Sequence, residues 1–323
     1  MIRKGLLTLG SLILIVLIGG ATFVASRQHL TFDVPYPDVT ASTDSTVIER
    51  GRYLVRDAAP CAGCHGDPAQ EASYAAGADV PLSGGFVFDI PPGKFYAHNI
   101  TSDDETGLGK VSDKAIGRAL RYGVGYDGRA LLPFMEMQGL ADDDVVAVVS
   151  YLRTLPPTRK AVPPHEFSLL GRVLMATALA KPIGPAATPP ARAPRSPSIE
   201  TGRYLVESVA ICRACHTQRD NRTGELVGPH LGGAAGLTET DDPAHSWSAP
   251  NITSDPETGK LAQWTEDQFV LRFKQGRILD GSPMPWPGLS KLTEDDLRSM
   301  YRYLRSVPPV KNDVGPPLVM VKP

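Results

Sequence analysis

The chain has 323 residues, enough for two or three domains that each form a core. Its 33 basic and 35 acidic residues leave a formal net charge of −2 without a basic face, which excludes a nucleic-acid-binding protein. With 31 glycines and 30 prolines, the composition indicates a loop-rich protein rather than a low-complexity one. The four cysteines occur as two close pairs, each followed directly by a histidine.

The first predicted element is an apolar helix at the N-terminus. Residues 5–25 carry no charge and would span about 31 Å as a helix, enough to cross the apolar core of a bilayer. Arg3 and Lys4 precede this segment, so the N-terminus is expected in the cytoplasm and the chain after Arg27 on the exported side. A cleaved signal peptide remains the alternative, with a small-x-small site at 19–21. We favour an uncleaved anchor because the apolar run is longer than that of a signal peptide.

Two Cys-x-x-Cys-His motifs follow, at residues 61–65 and 212–216. This motif is the attachment signature of c-type haem, in which both thiols bond the porphyrin and the histidine supplies an axial nitrogen to iron. A zinc half-site would need further Cys or His pairs, and a redox pair does not require a histidine after the second cysteine. Two covalently bound haem c groups are therefore predicted. The haem-binding residues of the motifs are Cys61, Cys64, His65, Cys212, Cys215 and His216.

The sequence repeats with an offset of 151 to 152 residues. Residues 49–55, Glu-Arg-Gly-Arg-Tyr-Leu-Val, return at 200–206 as Glu-Thr-Gly-Arg-Tyr-Leu-Val. Further matches begin at Asn99 and Asn251, and at Tyr151 and Tyr303. An offset kept over a hundred residues indicates a duplicated domain. The predicted parts are an anchor at 1–30, a first repeat at 47–158, a linker at 159–197, a second repeat at 198–310 and a tail at 311–323.

Each repeat contains the same predicted helices. A first helix leads to the haem motif, and middle helices at 112–122 and 265–275 and last helices at 142–155 and 293–307 follow. We see no convincing alternating strand, so the expected fold class is mainly α.

Two glycines of the first helices invite a packing hypothesis. Gly51 and Gly202 lie where a close helix crossing would need a small residue, with the Tyr-Leu pairs at 151–152 and 303–304 as counterparts. Ordinary helical glycines are an equally open alternative.

The proline-rich linker contains a short apolar segment at 168–180. It is too short to span a bilayer. It could pack between the two repeats or lie on the membrane surface, and its modest amphipathic character favours packing.

A methionine in each repeat is the candidate for the second axial ligand. Met284 lies 68 residues after His216, and Met135 lies 70 residues after His65. Met137 occupies the same loop and is the alternative to Met135. A thioether would close the sixth position of the iron and raise its potential. The predicted metal ligands are thus His65, Met135, His216 and Met284.

These residues make the sequence resemble membrane-anchored dihaem members of the cytochrome c family. The likeness covers residues 47–310 and is greatest to cytochrome c subunits of bacterial periplasmic dehydrogenases for alcohols, gluconate and aldehydes. The phrases that carry it are Gly-Arg-Tyr-Leu-Val, Cys-x-x-Cys-His, Asn-Ile-Thr-x-Asp-x-Glu-Thr-Gly and Tyr-Leu-x-x-x-Pro-Pro. Those subunits commonly carry three haem motifs, whereas this sequence has two.

The resemblance implies two tandem class I-like cytochrome c domains behind one transmembrane helix, with the haem domains in the periplasm. It also implies further cofactor-binding residues. Gly228-Pro229-His230-Leu231 resembles a class I segment whose proline carbonyl accepts the axial histidine N–H, which assigns that role to Pro229 and, in the first repeat, to Pro81. Asn99 and Asn251 would lie beside the haem propionates.

The expected function is single-electron transfer without catalysis by the chain itself. The partners would be a dehydrogenase or respiratory complex and an acceptor such as a terminal oxidase, with residues 5–25 in the bacterial cytoplasmic membrane. A dihaem peroxidase is the alternative from another class, but it needs an open iron position, which a methionine in both repeats disfavours. A structural subunit of a respiratory assembly is the third hypothesis.

Overall fold

The computed structural model describes residues 2–179, 181–220, 225–239 and 242–320. It opens with helix α1 (Ile2–Ser26). Within α1, the 21 residues Leu6–Ser26 have a mean hydropathy of 2.3, and none of this stretch is buried against the rest of the chain. Its length and composition are those of a membrane span, as are those of a signal sequence, and it is the only such helix in the described part of the chain.

Helices make up most of the regular structure in both repeats. The first repeat contains α2 (Ser45–Tyr53), α3 (Cys61–His65), α4 (Glu71–Ala75), α5 (Asp113–Tyr122) and α6 (Asp142–Thr154). The linker contains α7 (Leu169–Leu174). The second repeat contains α8 (Ile199–Tyr204), α9 (Arg213–His216), α10 (Glu266–Lys274), α11 (Trp286–Leu289) and α12 (Glu294–Ser306).

Side-chain caps begin three of the four middle and last helices, α5, α10 and α12. Ser112 accepts the N–H of Ala115 at the start of α5, and Thr265 forms a reciprocal capping box with Gln268 at the start of α10. Acidic residues fill the first turns of α6 and α12, where their negative charges interact favourably with the positive end of the helix dipole. The predicted bounds of these four helices are confirmed to within one residue.

The first and last helices of each repeat cross at a glycine, as expected. A Cβ added at Gly51 would lie 2.7 Å from the Cβ of Tyr151 and closer still to the backbone of Ala147. A Cβ at Gly202 would lie 2.9 Å from the Cβ of Tyr303 and would clash with the backbone of α12. Both glycines are therefore required by close helix packing.

Two small antiparallel sheets were not expected from the sequence. One consists of β1 (Val87–Ile90), β2 (Gly93–Tyr96) and β3 (Glu166–Phe167), in that order. The other consists of β4 (Ala234–Glu239), β5 (Asp242–Ala249) and β6 (Leu318–Met320), also in that order. The strands of the first sheet are too short to show a clear alternation, so the expectation of no strands was wrong, while helices still predominate.

One hydrophobic core runs through both repeats. It includes Leu54 and Val145 from the first repeat and Leu205 and Leu297 from the second, all of them at most 2% exposed. The two repeats thus bury their apolar surfaces against each other rather than hanging on a flexible linker.

Reciprocal tyrosine–aspartate hydrogen bonds join the repeats at this core. Tyr204 of α8 donates to Asp144 of α6 at 2.8 Å and accepts the backbone N–H of Ala141. In the matching place, Tyr53 of α2 donates to Asp296 of α12. Burial raises the pKa of both tyrosines, so both hydroxyls remain protonated donors. The paired contacts relate the repeats by an approximate two-fold rotation.

Candidate haem sites

Each haem motif begins directly after a widened helical turn. Helix α2 continues into a π-helical turn at Leu54–Ala58, and α8 continues into another at Leu205–Val209. In each case the N–H of the next residue returns to the carbonyl of the first residue of the turn, at 2.8 Å. Such turns are rare and are often found at functional sites. The same irregularity therefore delivers both motifs into their short helices.

The motif cysteines are available for thioether bonds to a haem. All four lie in the described residues, and none forms a disulfide. Burial raises the pKa of Cys61 and of Cys212 to about 12, which keeps these two side chains as thiols. No cluster of three or more His, Cys, Asp or Glu side chains suited to an ion occurs in the part of the chain that the structure describes, which gives no support to a zinc site.

Both motif histidines are oriented by a backbone carbonyl. Nδ1 of His65 lies 2.7 Å from the carbonyl oxygen of His98, and Nδ1 of His216 lies 2.8 Å from that of Pro250. A carbonyl can only accept, so Nδ1 carries the proton and Nε2 keeps its lone pair for a metal. Burial lowers the pKa of both rings, which favours the neutral form. These residues fit a covalently bound haem with histidine as one axial ligand.

The acceptors differ from those implied by the class I resemblance. The carbonyl of Pro81 accepts the N–H of Asp67, and the carbonyl of Pro229 accepts the N–H of Gly232, both at 3.0 Å. The segments after the prolines contact the histidine backbone instead of the ring, through Gly84 N–H to the His65 carbonyl and Gly233 N–H to the His216 carbonyl. The role expected of Pro81 and Pro229 was therefore wrong. The true acceptors come just before the Asn-Ile-Thr loops.

Asn99 holds the first of these loops in place. Its Oδ1 accepts from the N–H and hydroxyl of Thr101, at 2.9 and 2.7 Å. Its Nδ2 donates to the hydroxyl of Thr106 at 3.1 Å and to the carbonyl of Thr158 at 2.8 Å. The matching bonds of Asn251 run to Thr253, Thr258 and Val310 over 2.7–3.0 Å. Each buried amide thus uses both donors and both acceptor positions within the protein.

Asn99 and Asn251 remain predicted to lie beside the haem propionates, with their amides bonded within the protein. A buried amide whose four bonds are made has no group left for a propionate. Since His98 and Pro250 directly precede the asparagines, each side chain also fixes the carbonyl that orients a motif histidine. Sequence reasoning found these residues but not this role.

An aspartate closes each Asn-Ile-Thr loop. Asp103 accepts the N–H groups of Glu105 and Thr106, and the Thr106 hydroxyl. The hydrogen bond from the Thr106 backbone is the largest cause that lowers the pKa of Asp103, to about 2. Asp255 makes the corresponding bonds in the second repeat, and its pKa is lowered in the same way. The loops are therefore rigid frames in both repeats.

The candidate methionines occupy matching positions. Gly139 and Gly288 both approach the π-helical turn of the other repeat, where an added Cβ would lie 2.7 Å from Ser208 Oγ and from the Asp57 carbonyl, respectively. Counting back from these glycines aligns Met135 with Met284, both half-buried. It also aligns Met137 with Trp286, and these two are core residues, 5% and 7% exposed. This match supports Met135 rather than Met137 as the ligand candidate.

One contact between the repeats was missed by sequence reasoning. Glu136, next to Met135, pairs with Arg213 at 2.8 Å and with Arg219. Arg213 is one of the two variable residues of the second haem motif. The ligand loop of the first repeat is therefore bonded to the haem-attachment segment of the second. The only sequence signal was an arginine in the second motif where the first has Ala62.

Aromatic side chains gather on the first sheet beside this loop. Phe134 stacks on Phe88 with ring centroids 4.2 Å apart, and Phe95 contacts both Phe134 and His165. The rings of His98 and His165 lie 5.5 Å apart, and burial lowers the pKa of both. The unexpected strands thus build an apolar wall next to the ligand candidate.

Comparison with known proteins matches the first repeat to a family. The cytochrome c family model matches residues 48–156, the first repeat. A cytochrome c domain carries covalently bound haem c, as the motif and its oriented histidine require.

Relatives of known role match most of the chain. The fructose dehydrogenase cytochrome subunit of Gluconobacter japonicus is 29% identical over 297 residues, 85% of this chain and 55% of that protein. The gluconate 2-dehydrogenase cytochrome c subunit of Pantoea cypripedii is 30% identical over 278 residues, 82% of this chain and 60% of that protein. A diheme cytochrome c-type protein of Cereibacter sphaeroides is 27% identical over 261 residues, 78% of this chain and 83% of that protein.

The chain thus spans somewhat more than half the length of the two dehydrogenase subunits. Both of these relatives are cytochrome subunits of dehydrogenases. The chain carries a cytochrome c domain and is related to the cytochrome c subunits of bacterial fructose and gluconate dehydrogenases.

Proposed function

We propose that the chain is a membrane-anchored dihaem cytochrome that passes single electrons from a periplasmic dehydrogenase towards a respiratory acceptor. The observation that carries the proposal is the repeated histidine geometry. Two Cys-x-x-Cys-His motifs, 151 residues apart, each place Nδ1 of the histidine against a carbonyl at 2.7–2.8 Å. A tandem pair of cytochrome c domains, at 47–158 and 198–310, accounts for this repetition.

The chain's own residues would hold and tune each haem. The four motif cysteines would attach the two groups, and His65 and His216 would each offer Nε2 as one iron ligand. Met135 and Met284 would supply the other, which leaves no open position for substrate chemistry. When bound, each haem exchanges one electron between its ferric and ferrous states. The protein contributes ligands, orientation and burial.

The contacts between the repeats would keep the two haems at a fixed separation. The common core, the two tyrosine–aspartate bonds and the Glu136–Arg213 pair all cross this boundary. Electron transfer between fixed centres needs no large domain movement. The chain is thus suited to relay electrons through its own body.

The apolar helix α1 would anchor the protein in the cytoplasmic membrane. Its 21 apolar residues are exposed along their length, and Arg3 and Lys4 stand at its start. With this orientation, both haem motifs would lie on the periplasmic side. The anchor would keep the chain close to a dehydrogenase such as those served by its relatives.

Mass spectrometry of the denatured protein tests this proposal. The expected mass is that of the chain plus two haems, and Cys215→Ala should abolish the stable two-bond attachment at the second motif only. Redox titration should show two one-electron steps. A single haem per chain, or one haem lost on denaturation of the unaltered protein, would contradict the proposal.

A further inference from the structure

The linker helix α7 is fixed to the first repeat along one side. Ser168, its N-cap, donates from its backbone to the carbonyl of Pro92 at 3.0 Å and from its hydroxyl to that of Pro91 at 2.9 Å. Gly171 is buried against the same turn between β1 and β2, and an added Cβ would meet the Pro92 backbone. The helix therefore has a defined orientation on the protein.

Its other side presents apolar side chains that nothing in the described chain covers. Leu169 is 80% exposed, Leu170 50% and Val173 40%. Leu169 and Leu170 lie four and three positions before Val173, the spacings that bring side chains together on one face of a helix. The three side chains form one patch, which we call the α7 face. Isolated exposed apolar side chains are common on soluble proteins, but three on one short helix are less so.

The position of α7 beside the anchor indicates what covers the α7 face. Arg27, directly after α1, donates from Nε to the carbonyl of Ala176 at 2.6 Å. Gln28 donates from Nε2 to the carbonyl of Arg172 at 3.0 Å. The apolar stretch of α1 ends at Ser26. These bonds place α7 level with the point at which the anchor would leave the bilayer.

We propose that the α7 face rests in the interface of the membrane that holds α1. This proposal rests on the proposed membrane anchoring. Short amphipathic segments bind weakly alone, but a segment tethered at the membrane surface needs only modest affinity. The exposed Arg172 and Lys181 flank the patch and suit anionic lipid headgroups.

The inference assigns the linker a mechanical role. An anchor helix alone holds the domains that it carries at one point and does not fix their tilt. A second contact through α7, which is bonded to the β1–β2 turn, would fix the tilt of the first repeat against the membrane. A dehydrogenase or acceptor in the same membrane would then meet the haem domains in one orientation.

Photo-crosslinking to lipid tests the inference. The haem-loaded full chain would be placed in nanodiscs of phosphatidylethanolamine and phosphatidylglycerol, with p-benzoylphenylalanine at one position at a time. Leu170→p-benzoylphenylalanine reports on the α7 face. The same change at Leu14 reports on the anchor, and at Leu271, which is 58% exposed on α10, on a leucine remote from it. Unchanged haem absorbance verifies folding of each variant.

The expected result is lipid adducts at Leu170 about tenfold above those at Leu271, the ratio that burial of one leucine side chain in an apolar phase supports. Adducts at Leu14 without an excess at Leu170 would overturn the α7 inference and leave the anchor intact. Absence of adducts at Leu14 would overturn the anchor and the inference together. In membranes that also contain partner subunits, adducts at Leu170 with protein instead of lipid would make the α7 face a subunit interface and overturn the inference.

Discussion

The two repeats orient their motif histidines with the same hydrogen-bonded loop, but the side chains around that loop differ. The histidine acceptor is the carbonyl of His98 in the first repeat and of Pro250 in the second. The asparagine after each acceptor makes the same four bonds, with lengths that differ by at most 0.1 Å. A backbone carbonyl serves equally well from any residue. The loop therefore depends on the asparagine and not on the residue that provides the acceptor.

The repeats differ most in the burial and the charged partner of the aspartate at their boundary. Asp144 is fully buried, and Arg50 binds it with two hydrogen bonds of 2.9 and 2.7 Å. In the second repeat Thr201 stands in the place of Arg50, and the counterpart aspartate, Asp296, is half-exposed. Each aspartate still accepts from a tyrosine of the other repeat. The difference shows that the contact between the repeats is symmetric in geometry but not in electrostatics.

The largest expected effect tests the feature that the repeats share most closely. Gly51→Ala and Gly202→Ala would each push a methyl group into the backbone of the crossing helix, at a cost of about 3 kcal/mol or more in the free energy of unfolding. Urea denaturation followed by helical circular dichroism would measure both. Gly184→Ala is the control, because its added Cβ would lie 3.6 Å from Tyr122, an ordinary contact. Effects as small as that of the control would show that the helices do not cross at the glycines.

An effect of intermediate size should show that a charged partner matters in the first repeat and not at the matching position of the second. Arg50→Ala removes the main cationic partner of the buried Asp144 and should cost about 3 kcal/mol. Thr201→Ala at the matching position loses only neutral hydrogen bonds, to the Ser196 carbonyl and with the Ser198 hydroxyl, and should cost about 1 kcal/mol. Urea midpoints of the two variants at neutral pH provide the comparison. Equal losses of stability would mean that Arg50 contributes little to holding the buried Asp144 and that the repeats are electrostatically alike.

The smallest effect concerns the potentials. Asn99→Ala frees the His98 carbonyl, weakens its bond to His65 and makes the imidazole less electron-donating, which favours the reduced haem. The first potential should rise by about 40 mV, the one-electron equivalent of about 1 kcal/mol. Asn251→Ala should do the same to the second potential only. Both would be measured by spectroelectrochemical titration.

Asn312→Ala is the control for these asparagines. Asn312 also fastens a loop, by donating to the Gly232 carbonyl at 2.9 Å, but no histidine acceptor adjoins it. Both haem potentials should stay unchanged in the Asn312→Ala variant. If Asn99→Ala lowers stability and leaves the first potential in place, the asparagine supports only the loop.

Local sequence signals predicted the helices well and the contacts between distant segments poorly. Caps such as Thr265 and acidic first turns act within a few residues, so the starts of the helices could be read directly. The glycine crossings were one of two open alternatives, because Gly51 and Gly202 recur at the same place in a repeated phrase. The hairpin of β1 and β2 was missed because two strands of four residues give almost no periodic signal.

At the candidate haem sites, too, local features could be predicted and contacts between distant segments could not. The motif histidines could be named from spacing alone, since attachment and ligation occur within five residues. Their acceptor carbonyls lie 33 and 34 residues away and depend on how the loops fold back, so Pro81 and Pro229 were assigned in error. The pair of Glu136 and Arg213 joins the repeats, and its only trace in the sequence is the arginine within the second motif.

The most direct test of the account is the far-red absorption band that a ferric haem with histidine and methionine ligands shows. The unaltered protein should have this band from both haems, and Met284→Ala and Met135→Ala should each remove about half of its intensity, because each opens one of two equivalent sites. Met137→Ala should leave the band whole and lower only stability, since Met137 belongs to the core. Loss of the band in Met137→Ala, or a high-spin haem that turns over peroxide in the unaltered protein, would contradict the account.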